Sequence, residues 1–444
     1  MTVLLLFGLI GQIAWSVENM YFNLFVFKTI EPNLSAITLM VQLSAIAATV
    51  VTLVAGTVSD KLGNRRYFIS VGYIIWGVTV ALFGFISPEL FENAFGMEYQ
   101  SAVRAALTTV IIGDCVMTLF GSTSNDAAFN AWLTENTHKS QRGKIESIVS
   151  ILPLISMLIV AGGFGIIVDA AGAYAPVFLG LGIIITLSGV AGIFIIRDSD
   201  SLQKSGTLRD MLYGFKPSTV KGNKPFYLTL LIMCVYGIAC QIFMPYIIIY
   251  MNTYLAFSTI EYSIVFGLAI ALGAVINLAL GRLSDRMSKA KLLYLAAGIF
   301  ALGLLLMYLM KDMSHMTTLI LFGISGFIMI TGYIFVSALA GAVMRDYTPE
   351  GEVGKLQGVR MIFTVLIPML IGPTVGNAIN AARAIPLPNP EGNPDTMTTS
   401  YIPAPEIYLV AAAVALLLFA LIPLLVKLCN KEGEREKAVT ETAE

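Results

Sequence analysis

Gly56-Thr57-Val58-Ser59-Asp60-Lys61-Leu62-Gly63-Asn64-Arg65-Arg66 returns in altered form as Gly281-Arg282-Leu283-Ser284-Asp285-Arg286-Met287-Ser288-Lys289-Ala290-Lys291. The copies lie 225 positions apart, each between long apolar runs, so the chain reads as two related halves. Charges set between such runs belong at a membrane surface, and internal duplication of membrane helices is a common build for solute carriers.

Composition agrees. The 444 residues are 57% hydrophobic and 12% charged, about half the charged share of a water-soluble domain. Mean hydropathy is +0.81. No single globular core hides that much apolar surface, so lipid is the solvent for most of it. A net charge of −1 argues against nucleic acid as a partner. Cys115, Cys234, Cys240 and Cys429 show no C-x-x-C spacing, so neither a zinc site nor a disulfide framework is expected, and no cofactor is. No G-x-x-x-x-G-K-[ST] motif points to ATP as the energy source. His138 and His315 fall in loops and receive no role. Residues 2–17 lack a basic leader and a small-residue cleavage site, so they are expected to be the first membrane helix and not a signal peptide.

A bilayer core about 30 Å thick takes roughly 20 apolar helical residues. Runs of that kind give twelve spans: 2–28, 32–59, 67–88, 103–134, 147–168, 170–196, 226–260, 262–281, 292–310, 316–344, 361–382 and 407–426. The expected fold is therefore an all-α membrane protein with two pseudo-symmetric six-helix bundles, 1–196 and 225–428, a linker at 197–224 and a tail at 429–444. With both termini inside, all but four of the 27 Lys and Arg residues fall on the cytoplasmic side, the exceptions being Lys28, Arg104, Lys311 and Arg383. Within the linker, Leu208, Met211, Leu212 and Phe215 repeat at helical spacing, which suits a short interfacial helix with Arg209 and Lys216 toward headgroups; a solvated linker fits as well.

The halves match a second time. Glu135-Asn-Thr137-His-Lys-Ser-Gln-Arg-Gly143-Lys144, after span 4, aligns with Asp346-Tyr-Thr348-Pro-Glu-Gly-Glu-Val-Gly354-Lys355, after span 10. Twelve spans, a basic central linker and G-x-x-x-D-[RK]-x-G-x-[RK]-[RK] after span 2 resemble the major facilitator superfamily. The first copy fits in full, while the second departs at Ser288 and Ala290. The resemblance implies two bundles that rock about a central cavity, with the motif residues Gly56, Asp60, Lys61, Arg65 and Arg66, and Asp285 and Arg286 in the second copy, acting at the gate. Within the superfamily the pattern is similar to the glycoside–pentoside–hexuronide cation symporters, through an aromatic, polar span 1 and the acidic-x-Thr…Gly-Lys loop. Their paired span 2 aspartates are missing, since residues 36–57 hold no carboxylate, so sodium coupling at that position is not expected.

Polar groups at membrane depth are costly and mark pathways or partner one another. On span 1, Gln12, Trp15, Asn19, Phe22 and Asn23 share one face at 100° per residue, with Glu18 at its edge. Trp15 suits stacking on a sugar ring, and Glu18 and Asn19 suit binding its hydroxyls; amides here serve helix–helix hydrogen bonding equally well. On span 4, Asp114, Thr118, Gly121 and Asn125 lie within about 40° of one line, and Asp126 flanks it. Glu18, Asp114 and Asp126 form the expected coupling set, because a protonatable group reached from each side in turn couples proton flow to transport. Asp126 reads equally as a fixed partner for Arg142 or Arg360. The second half offers neutral groups, Gln241, Tyr246 and Tyr333, beside Pro245, which is placed to break span 7.

These observations lead to a secondary active transporter, not an enzyme, for a small polar solute, with a sugar or glycoside favoured and a proton or cation as coupling ion. Export of drugs or lipophiles by proton antiport, and a non-transporting membrane sensor, remain alternatives. A monomer in a bacterial cytoplasmic membrane is the expected setting.

Overall fold

The computed structural model describes residues 2–62, 64–136, 142–198, 213–284, 287–310, 313–349, 353–387 and 400–443. Several expectations lie outside them: Gly63, Asp285, Arg286, the side chain of Asp60, and residues 208–212 of the expected interfacial helix.

The chain is a multi-pass membrane protein whose described residues form helices and no strand beyond one isolated bridge, Pro386 to Tyr401. Among the described residues, twelve helices are long and apolar enough to cross a bilayer. In order they are Val3–Ile30, Leu34–Gly56, Arg65–Phe83, Tyr99–Leu133, Ile151–Ala171, Ala175–Ile195, Lys224–Thr253, Thr259–Gly281, Lys289–Tyr308, His315–Asp346, Leu356–Arg383 and Glu406–Glu432, called spans 1 to 12. Each lies mainly within one expected run. Helix continues past span 2 through Leu62, so the first copy of the duplicated motif is the last two turns of a helix followed by a tight connection, not a loop throughout. Asn64 then caps span 3 by accepting from Tyr67 N at 3.4 Å.

The chain divides into two compact units. Unit 1 holds Met1–Leu208, Met244–Gly267 and Asn377–Ala404, and unit 2 holds Arg209–Phe243, Leu268–Gly376 and Pro405–Glu444. Spans 7, 8 and 11 therefore each contribute one end to unit 1.

In unit 1, spans 3 and 6 pack at backbone distance. A Cβ on Gly77 would stand 2.6 Å from the Gly182 carbonyl oxygen, and one on Gly182 would stand 2.5 Å from that of Gly77. Lipid gives no hydrophobic drive for helix association, so small residues that let backbones approach supply the contact energy instead. In unit 2, Phe226, Leu230, Met344, Leu356 and Val359 form a buried cluster on which Tyr213 packs, so the end of the linker is anchored to that unit.

Several spans are not uniform α-helix. π-Helical turns occur at Glu18–Phe22 and Val26–Ile30 in span 1, Ser122–Phe129 in span 4, Val160–Phe164 in span 5 and Ile362–Leu366 in span 11. Such turns cluster at functional positions and alter which residues share a face. Span 7 breaks where Pro245 predicts. An α-helix ends at Phe243, a 3₁₀ turn covers Met244–Tyr246, and helix resumes at Ile247.

Candidate functional site

The polar residues of spans 1, 2 and 4 meet inside unit 1. Glu18 opens the first π-helical turn of span 1. Its Oε1 lies 3.2 Å from Ser44 Oγ on span 2 and 3.3 Å from Thr118 Oγ1 on span 4. The two hydroxyls are 2.7 Å apart. Asp114 lies one turn before Thr118 on the same helix. Asp114, Ser44 and Thr118 are buried, Asp114 with 2% of its surface exposed. Glu18 Oε2 and Asp114 Oδ1 are buried with no hydrogen-bond partner among the described residues.

One turn further along span 4 the cluster gains an aromatic wall. The rings of Trp15 and Trp76 have centroids 5.0 Å apart, and Tyr73 meets Trp76 edge-on at 5.4 Å. Gly121 fits beneath both indoles: a Cβ there would lie 3.0 Å from Trp76 and 3.1 Å from Trp15. Tyr73 Oη contacts the Phe7 carbonyl at 2.7 Å and Asn125 Oδ1 at 3.0 Å, tying spans 1, 3 and 4 into one knot. Asn125 Nδ2 donates to Asp126 Oδ1 at 3.4 Å, so Asp126 adjoins the knot from its half-buried side.

The remaining span 1 residues divide. Gln12 and Trp15 are half-buried, and Asn19 is exposed with its amide turned back to the Trp15 carbonyl at 2.8 Å. Phe22 is 1% exposed and packs edge-on against Phe83 and Phe178 at 4.5 and 6.0 Å. Asn23 Nδ2 donates to the Pro245 carbonyl at 3.2 Å. The single face expected at 100° per residue is thus split, because the wide turn at Glu18–Phe22 shifts the phase of everything after it. Tyr246 is fully buried, its Oη 2.7 Å from Thr38 Oγ1, on the same 3₁₀ turn that receives Asn23. In unit 2, Gln241 packs over Gly372, and the Tyr333 carbonyl accepts from Tyr236 Oη at 2.8 Å.

Ser44, Tyr73 and Trp76 escaped sequence reasoning. A lone serine in an apolar helix carries no signal, because it usually bonds its own backbone, and the two aromatics look like ordinary packing residues. Asn277 was missed too; its amide donates to the Gly273 and Thr331 carbonyls at 2.8 and 3.1 Å within unit 2.

The duplicated motif has a defined partner. Arg65 is 3% exposed, and its Nη2 and Nε reach Glu135 Oε1 and Oε2 at 2.7 and 3.3 Å, while Nη1 bonds Ser59. Glu135 opens the second repeated segment, so the two repeats of this half are joined by a forked ion pair. The counterpart in unit 2 is Lys289 Nζ to Asp346 Oδ2 at 2.6 Å, between a half-buried lysine and an exposed aspartate. Arg66 donates its backbone N–H to Asp198 at 2.9 Å and lays its guanidinium over Tyr67. Lys61 is exposed, and a Cβ on Gly56 would meet open space.

A model of the Major Facilitator Superfamily matches residues 4–373. No curated protein sequence matches the chain. Among solved structures, a bacterial homologue of the human lysosomal transporter Spinster, in an inward-facing and unoccupied conformation, is similar at TM-score 0.67 and 12% identity, over 96% of each chain. The nucleoside transporter NupG is similar at TM-score 0.63 and 12% identity, over 96% of this chain and all of that one. A bacterial homologue of the iron transporter ferroportin, outward-facing, follows at TM-score 0.58 and 14% identity, over 96% of this chain and 98% of that one. At these identities the likeness concerns the fold.

Proposed function

The chain belongs to the major facilitator superfamily and is a membrane transporter, and we propose that it moves a small polar solute, preferably a sugar or glycoside, by secondary active transport coupled to a proton or a cation. One observation carries this proposal: Ser44 and Thr118 hold the Glu18 carboxyl inside the helices, one turn along span 4 from the buried carboxyl of Asp114 and beside the Trp15–Trp76 wall. A carboxyl pair in that setting is expensive to maintain and takes its value from exchanging charge with something that enters. Indoles offer a ring face for stacking, and the nearby amides and hydroxyls offer hydrogen bonds to a polyol.

In this proposal Gln12, Trp15, Asn19, Phe22, Asn23, Asn125, Gln241, Tyr246 and Tyr333 contribute to solute contact, and Glu18, Asp114 and Asp126 to coupling. The bundles 1–196 and 225–428 rock against each other, joined by the linker, in a cytoplasmic membrane with both termini inside. Gly56, Asp60, Lys61, Arg65 and Arg66 act at the gate of the first bundle, and Asp285 and Arg286 at that of the second. The Arg65–Glu135 fork supports this by giving the first motif a charged partner that a change of state can release.

A second reading, export of an amphipathic compound, draws on the neutral aromatic and amide character of Tyr236, Tyr333 and Asn277 in unit 2. Proteoliposomes loaded with a pH or sodium gradient and screened against sugars, nucleosides and amphipathic dyes separate the readings. Gradient-driven sugar uptake that drops at least tenfold in each of Glu18→Gln and Asp114→Asn supports the proposal. Full gradient-dependent transport in Glu18→Gln, Asp114→Asn and Asp126→Asn sinks the coupling assignment. Ligand binding without movement across sealed vesicles turns the chain into a sensor.

A further inference from the structure

We propose that the helix Pro88–Phe95, in the connection between spans 3 and 4, is a lipid anchor whose apolar face lies in a headgroup layer of neutral phospholipid. The sequence specifies this helix at both ends. Ser87 Oγ accepts from Leu90 N at 3.3 Å, and Pro88 stands in the first turn, where a missing N–H costs nothing. Gly96 closes the helix at φ 63°, its N–H donating to the Glu92 carbonyl at 2.9 Å.

The helix is sharply two-sided. At 100° per residue, Leu90, Phe91, Ala94 and Phe95 fall within an arc of about 140°, and Glu89, Glu92 and Asn93 fill the opposite side. Pro88 is its one buried residue. Phe91 and Phe95 stack with ring centroids 5.8 Å apart, yet Phe95 remains 66% exposed and Leu90 42%. Phe85 before the helix and Met97 and Tyr99 after it are exposed as well. Apolar surface gathered in this way marks a place of contact.

What covers it follows from where it stands. Gly84–Ser87 alone separates the helix from the end of span 3 at Phe83, and Gly96–Glu98 alone separates it from the start of span 4 at Tyr99. At no more than about 3.6 Å per residue, these connections hold it at the level of the span ends. It packs against span 4, and Phe85 joins its apolar face to the exposed apolar surface of span 3 at Leu82. Interfacial helices lie in this manner, with Phe and Leu at the boundary of headgroups and acyl chains and the polar side toward water.

Charge selects the lipid. Helices that seek anionic headgroups carry Lys or Arg on the polar face. This one carries Glu89 and Glu92, with Glu98 just beyond, and Arg104 is the one basic residue of 85–104. An anionic surface repels such a face, whereas a neutral one does not. One span separates the helix from the motif at Gly56–Arg66, so the two lie on opposite faces of the membrane; in the proposed orientation the helix rests on the outer leaflet. Anchored there, it fixes the height of the start of span 4, the span that carries Asp114, Thr118 and Gly121.

The test places the photoreactive residue p-benzoylphenylalanine at Phe91, Phe95 or Asn93, one position at a time, in the full-length protein in phosphatidylcholine nanodiscs. After irradiation, mass spectrometry identifies what each position has captured. A phospholipid adduct is expected at positions 91 and 95, and at least fivefold less of it at 93. Replacing half of the lipid by phosphatidylglycerol should lower the yield at 91 and 95 at least twofold. With the probe at 91, Phe95→Glu should abolish the lipid adduct, and Asn93→Glu, on the polar side, should preserve it. The three-position scan alters the helix least, so it decides the matter even if Phe95→Glu unfolds it. Equal lipid yields at all three positions, or no lipid adduct at 91 and 95, overturn the inference. So does a cross-link from 95 to a second copy of the chain in preference to lipid, which makes the face a contact between copies. A yield that holds or rises with phosphatidylglycerol overturns the preference for neutral lipid.

Discussion

Consider removal of one member of the Arg65–Glu135 fork. Arg65 is 3% exposed and Glu135 26% exposed, so the two sides of the pair face different losses. Glu135→Ala takes the forked carboxylate away from a buried guanidinium, with Ser59 still holding Nη1. A fully buried pair broken this way costs about 3–5 kcal/mol. Because Glu135 is partly wet, about 2–3 kcal/mol is the expected figure here. Arg65→Met removes the charge but keeps most of the buried stem, and leaves a carboxylate that turns toward water, at a cost of about 1 kcal/mol. The double variant should resemble Arg65→Met, because once the guanidinium is gone the further loss of Glu135 takes no partner from a buried charge at this pair. The coupling energy then comes to about 2–3 kcal/mol. Reversible unfolding by SDS in mixed micelles, followed by circular dichroism, measures all three. Additivity within about 0.5 kcal/mol would refute the pairing. A larger loss in Arg65→Met than in Glu135→Ala would refute the asymmetry of burial.

The counterpart pair should behave differently: Lys289→Gln, at a more accessible contact, is expected to change stability by no more than about 1 kcal/mol in the same assay. Gly121→Ala inserts a methyl 3.0–3.1 Å from two indoles and should cost about 1–3 kcal/mol while shifting tryptophan emission; unchanged emission would mean the rings do not meet there. Tyr73→Phe removes the hydroxyl that touches Phe7 and Asn125 and should cost about 1 kcal/mol by SDS unfolding, with no loss expected if that hydroxyl were idle.

Architecture was legible because it rests on quantities that sequence carries directly. Run length sets span number, Lys and Arg set the expected sidedness, and prolines mark breaks, so the twelve spans and the interruption at Pro245 follow from the residues. The burial of Asp114, Thr118 and Asn125 was equally readable, since one polar line on a helix does not face lipid. Two things were not. A π-helical turn inserts extra residues into a repeat that periodicity assumes to be constant, so the phase beyond Glu18 could not be carried forward to Phe22 and Asn23. Nor could neighbours from other helices be seen. Ser44 and Thr118 matter because of Glu18, and nothing local to residues 40–48 shows that a carboxyl from span 1 arrives there.

The two copies of the motif show how duplication preserves a contact while changing its use. Both units join the start of a span to the end of its successor by an ion pair, Arg65 with Glu135 and Lys289 with Asp346, and the acids are the aligned residues of the second repeat. The bases are not aligned: the position matching Arg65 is Ala290, and Lys289 takes the role from the place of Asn64. That one-residue move goes with a change from a buried, forked guanidinium to a more accessible ammonium with one contact to its acid. Lys is a compact, strongly hydrated charge, whereas Arg is planar and better suited to a buried carboxylate. The same half that keeps the forked pair also holds Glu18, Asp114 and Asp126. If ion coupling and gating are both concentrated there, Lys289→Gln should leave gradient-driven transport close to that of the unaltered protein, while Glu135→Ala reduces it well beyond its effect on the amount of folded protein. Equal losses from the two changes would place the gate in both halves alike.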